Sequence, residues 1–77
     1  MIKKTDELIK KLKPIWQEQE KLTDEYHTKL YELEKKMEKE TGIEGIEFFW
    51  GAYEGICGIG TANRKLELIS DVELEKE

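Results

Sequence analysis

The chain has 77 residues, 40% charged and 38% hydrophobic, with a formal net charge of −5. A length of that order predicts one small domain (1–77), near the size below which a single core leans on a disulfide, a metal or an oligomer contact. The single cysteine, Cys57, excludes an intramolecular disulfide, and the single histidine, His27, leaves a His/Cys zinc site short of ligands.

Oligomerisation is the remaining support, so a homodimer is expected. Residues 1–42 hold ten lysines against ten acids, whereas 43–77 hold Arg64, Lys65 and Lys76 against eight acids, the whole of the −5. Phosphate binding is driven by clustered Lys and Arg. No such cluster falls on the predicted sheet, which disfavours direct nucleic-acid binding. No apolar run approaches the ~20 residues of a membrane span. Met1-Ile2-Lys3-Lys4 is not followed by the apolar stretch of a signal peptide. With a lone thiol, these features predict a cytoplasmic protein without a membrane partner.

Thr5-Asp6-Glu7 is a helix start, a hydroxyl cap followed by acids that suit the positive end of the helix dipole. Leu8, Leu12, Ile15, Leu22, Tyr26, Leu30, Leu33 and Met37 then recur in steps of three and four, with Gln19 filling the one gap in the seam. Gly42 follows as a stop, so 5–41 reads as a helical segment. Pro14 interrupts it, because an interior proline removes a hydrogen bond and clashes with the carbonyl four residues earlier. An unbroken rod of this length would run to roughly 54 Å, so a break or strong kink is expected at Pro14. The narrow seam suits a surface helix laid on a sheet, with a coiled-coil seam as the alternative. Trp16 is expected at the end of the sheet.

The period then changes from helical to alternating. Ile46–Tyr53, Ile56–Thr61 and Lys65–Ser70 read as three strands. Val72–Glu75 reads as a short fourth strand or part of an acidic tail, 71–77. Turns at Glu54-Gly55 and Ala62-Asn63 imply an antiparallel meander, 46–70, that pairs Phe49 with Gly60, Trp50 with Ile59, Ile59 with Leu66 and Cys57 with Leu68. One face then collects Ile46, Phe48, Trp50, Ala52, Cys57, Ile59, Leu66 and Leu68, a bed for the helix. The other collects Phe49, Gly51, Tyr53, Ile56, Gly58, Gly60, Lys65, Glu67 and Ile69. The fold class is therefore α+β, with Ile46–Tyr53 at the edge of the sheet and the glycine-rich strand in its middle. An apolar edge strand guarded only by Glu47 invites pairing with another chain.

Gly55-Ile-Cys-Gly-Ile-Gly60 superficially resembles a phosphate-binding loop, but strands flank it on both sides and no Lys-Ser/Thr follows. The stronger reading is that Gly58 and Gly60 let Phe49 and Tyr53 lie flat across the sheet. Asp24-x-x-His27 falls short of the repeated pattern of dinuclear carboxylate sites. Cys57 falls on the expected core face, where a cysteine is a small buried hydrophobe. No catalytic constellation, metal site or cofactor is expected, so the chain does not read as an enzyme. It reads as a protein-interaction module of adaptor or inhibitor type, with Phe49, Tyr53, Gly58, Gly60, Arg64, Lys65 and Glu67 as the binding residues. The alternatives are a small-ligand binder, a nucleotide included, using the glycine-floored face with Arg64 and Lys65, and an acidic mimic that blocks a nucleic-acid-binding protein.

Overall fold

A computed structural model describes residues 1–21, 27–51 and 55–76. The fold is α+β: helices α1 (Asp6–Glu20) and α2 (His27–Thr41) pack on a three-stranded sheet of β1 (Ile46–Trp50), β2 (Ile56–Thr61) and β3 (Ile69–Ser70), followed by a short helix α3 (Asp71–Glu75). The sheet is antiparallel in the order β1-β2-β3, so β1 is an edge and β2 the centre. The radius of gyration is 11.4 Å and the longest dimension 32 Å. Among the described residues no helix is long and apolar enough to cross a membrane.

The start of α1 follows from local chemistry, since the Thr5 hydroxyl accepts from the Leu8 N–H at 3.2 Å. Of the break or strong kink expected at Pro14, the break does not occur there. Pro14 lies inside α1, and the first helical segment ends instead at Lys21. Pro14 and Lys10 are both exposed, so the hydrogen bond that the proline removes lies on the solvent side of the helix, where its loss costs least. Leu12, Ile15 and Trp16 meanwhile stay on one buried stripe on both sides of the proline. Breaking after Glu20 divides the segment into two helices of 15 residues each. This lets Leu33 and Met37 of α2 join Leu12 and Ile15 of α1 in one core. Lys36 reaches across to Glu18 at 3.3 Å, an exposed pair of the kind that contributes little. Gly42 stops α2 as expected, with φ +70° and its N–H on the Glu38 carbonyl at 2.8 Å. Of the expected seam, Leu22 and Tyr26 lie outside the described residues.

The sheet corrects the predicted register twice. In the first hairpin Phe48 opposes Ile59 and Phe49 opposes Gly58, two residues from the expected pairing, an even offset that keeps Ile46, Phe48 and Ile59 inward. The register then slips between Phe49 and Trp50, so that Trp50 opposes Ile56 and Cys57 is the extra residue of a bulge. That insertion exchanges two faces: Cys57, expected inside, is exposed, and Ile56, expected outside, packs against the core. Trp50, also expected inside, is 59% exposed at the end of β1. A hydrogen bond from the Gly51 N–H to the Gly55 carbonyl closes the hairpin. Ala52, Tyr53 and Glu54, and with them half of the expected turn, lie outside the described residues.

In the second hairpin Ile59 opposes Ile69, not Leu66. An odd offset of three inverts the strand, so Ile69 is fully buried and Leu68 is 48% exposed. The cause is a wide loop organised by side chains. The Thr61 hydroxyl accepts from the Leu66 N–H at 2.9 Å, Asn63 Oδ1 accepts from the Lys65 N–H at 3.1 Å, and the Arg64 N–H returns to the Thr61 carbonyl at 3.0 Å. The expected third strand, Lys65–Ser70, is thereby split. Its first part bridges the N-terminus in parallel, the Ile2 N–H donating to the Lys65 carbonyl and the Glu67 N–H to the Ile2 carbonyl. Only Ile69–Ser70 pairs with β2.

Asp71–Glu75 is a helix and neither a fourth strand nor a tail. Ser70 and Glu73 form a reciprocal capping box, each side chain accepting from the other's backbone N–H. The cap lets so short a helix carry Leu74 into the core beside Ile69. Ser70→Ala is expected to cost about 1 kcal/mol, read as a lower urea midpoint. Glu73 also pairs with Lys4 at 2.8 Å. The hydrogen bond from Lys4, followed by that from the Ser70 backbone, holds the Glu73 carboxyl below its ordinary value of 4.5. A carboxyl depressed on folding contributes stability that is present above the ordinary value and lost as pH falls through the depressed one. The gap in midpoint between wild type and Glu73→Gln should therefore narrow steadily on acidification below pH 4.5. A gap that stays constant into strong acid would refute this role.

Candidate interaction surface

All three helices share one core with the inner face of the sheet: α2 lies over β1, α3 over β2 and β3, and α1 between the two helices. Trp16 on α1 reaches the sheet, its ring 6.2 Å from that of Phe48 at a tilted 53°. Among the described residues no helix covers the opposite sheet face. Phe49, predicted there, lies there half-buried. A side chain at Gly60 would meet the Phe49 ring at 3.6 Å and the Leu68 Cδ1 atom at 3.4 Å. Phe49 and Leu68 thus converge over Gly60 as one apolar strip that spans the sheet, with exposed Cys57 on the bulge beside it.

The other predicted residues divide. Gly58 is no open floor: a Cβ there would stand 2.4 Å from the Ile69 carbonyl oxygen, so the glycine serves the close approach of β3. Gly60 is covered by Phe49 and Leu68. At Gly58 the space a side chain would take is thus occupied by the backbone of β3, and at Gly60 it is bounded by the Phe49 and Leu68 side chains. Arg64 and Lys65 are exposed in the β2–β3 loop, Arg64 with φ +58°. Glu67 follows the Ile2 bridge. Tyr53 lies outside the described residues, as does Asp24 of the Asp-x-x-His pattern. Among the described residues no three His, Cys, Asp or Glu side chains gather as metal ligands.

Sequence reasoning missed Leu68 and Cys57 as surface residues, because alternation alone puts both inside. The Thr61 and Asn63 side chains that widen the second loop are a signal for Leu68. The bulge that turns Cys57 outward has none in the local sequence.

A separate groove of about 570 Å³ lies between α1 and α3, lined by Asp6, Ile9, Lys10, Lys13, Glu73 and Lys76. It contains none of the predicted residues, and across it Lys13 Nζ donates to the Lys76 carbonyl. Its charges are of both signs and sit on the surface, where they discriminate weakly between ligands. No protein-family model, curated protein or solved structure matches the chain.

Proposed function

We propose that this chain is a non-enzymatic protein-interaction module of adaptor or inhibitor type that works as a homodimer, its two copies meeting through the helix-free sheet face. The observation that carries the reading is the Phe49–Gly60–Leu68 strip. An apolar strip on a sheet face, flanked by a loop bearing Arg64 and Lys65, has the layout of an interface with an apolar centre and a polar rim. Two such faces stack about 10 Å apart in aligned sheet packing. The small core supports the same reading, since domains of this size without a disulfide or metal gain from an oligomer contact. The exposed single thiol suits a reducing compartment such as the cytoplasm.

Sedimentation velocity and the reactivity of Cys57 toward a thiol reagent test this together. Wild type should sediment as a dimer in the micromolar range, with Cys57 labelling slowing as concentration rises. Leu68→Glu should weaken the dimer on the order of tenfold or more by burying an unpaired charge, and restore fast labelling with an unchanged far-ultraviolet spectrum. A wild-type monomer throughout that range, or a Leu68→Glu dimer as tight as wild type, would overturn the reading.

A further inference from the structure

The free edge of β1 is occupied by the chain's own side chains. Since β2 pairs with one side of β1 only, the other side presents backbone N–H and C=O groups outward. The Phe48 N–H points that way and donates to Glu34 Oε2 at 2.9 Å, and the Gly45 N–H, just before the strand, donates to Glu38 Oε2 at 3.4 Å. Glu34 and Glu38 stand four residues apart on α2, which stacks them on one helix face along the strand. Between helix and edge lies a shallow notch of about 150 Å³, lined by Tyr31, Glu34, Lys35, Glu38 and Glu47 among others.

We propose that Glu34 and Glu38 are an edge guard that keeps β1 from pairing antiparallel with β1 of a second copy. The strand's own sequence names that occupant. Pairing centred on Phe48 sets Ile46 opposite Trp50 and Glu47 opposite Phe49, a largely apolar, proline-free match of the kind that drives edge-to-edge association. A carboxylate on the outward N–H takes up the donor an incoming strand needs and offers no donor in return. It also sets negative charge against the incoming carbonyl oxygens. The Glu34 carboxyl is held above its ordinary value, chiefly by burial, with Glu47 adding to the shift and the Phe48 N–H and Lys35 opposing it. Its ionised form is thus disfavoured by folding at neutral pH, which fits a group that prevents association more than one that stabilises the monomer. This edge is distinct from the helix-free face, so either proposal can fail alone.

The test uses the full chain carrying Leu68→Glu, the substitution expected to weaken association through the sheet face. Glu34→Ala/Glu38→Ala in that background should associate at least about tenfold more tightly than the parent by sedimentation velocity. Phe48 amide exchange, independent of concentration in the parent, should slow as the variant associates. Glu34→Gln, which keeps an acceptor for Phe48 but loses the charge and gains a donor, should fall between the parent and Glu34→Ala. Circular dichroism checks folding, and Glu34→Ala alone carries the same comparison if the double variant does not fold. A folded variant no more associated than the parent overturns the proposal. So does association that leaves Phe48 exchange unchanged, or a Glu34→Gln chain that associates as strongly as Glu34→Ala.

Discussion

Gly58→Ala is expected to lower the unfolding free energy by about 2–3 kcal/mol through forced overpacking, and the melting temperature by roughly 10–20 °C for a domain of this size. The added methyl would stand 2.4 Å from the Ile69 carbonyl oxygen. That obstacle is backbone and cannot rotate away, so β2 and β3 must separate where Gly58 opposes Ser70 and Ile59 opposes Ile69. Separation there also disturbs Ser70, the cap of α3, and through it the seat of Leu74. Gly60→Ala is the control. Its methyl would meet only the Phe49 ring and the Leu68 side-chain tip at 3.4–3.6 Å, so a change under about 1 kcal/mol is expected. Thermal melts of both variants decide the matter, and equal losses would show that the β2–β3 approach does not set the requirement for glycine.

Trp16→Ala should be the costliest single truncation, at about 3–5 kcal/mol. That is comparable to the whole stability of a marginal domain. Trp16 is 2% exposed and lies where α1 meets the sheet against Phe48, so its loss opens a cavity bounded by both layers. Its indole Nε1 is buried with no hydrogen-bond partner among the described residues, a position that carries a desolvation cost. Trp16→Phe keeps an aromatic ring near Phe48 and removes that N–H, so it should cost much less than the alanine. Urea titrations of the two variants provide the check. Similar midpoints would show that Trp16 does not act through the bulk of its ring.

Much of the fold was legible because its signals are local. Thr5 caps α1 with its own hydroxyl, and Gly42 ends α2 with a positive φ. Both depend on a few neighbouring residues. The periodic residues Leu12, Ile15, Leu33 and Met37 and the alternating Ile46, Phe48 and Ile59 are all buried, and the buried Gln19 fills the seam position expected of it. The edge position of β1 followed from the order of strands. For the candidate site, Phe49 was found on the correct face by alternation, whereas its partner Leu68 was assigned to the wrong one. The Ser70-x-x-Glu73 capping box was also present in the sequence. The alternation of Val72 and Leu74 masked it, because a segment of five residues fits either period.

Composition and pattern alone determined the class: helices over an antiparallel meander, one thiol, one histidine and an acidic C-terminal half. These follow from counts and short-range spacing, which no tertiary contact can alter. The tertiary structure decided where the long helical segment folds back, since a proline facing water is tolerated once the residues around it are packed. It decided which side of the sheet each residue meets. One inserted residue at Cys57 and an odd offset after Thr61 each invert a face, although both leave the hydrophobic pattern unchanged. It also decided that the Phe48 N–H meets Glu34 and the Gly45 N–H meets Glu38, because only folding brings α2 alongside the strand.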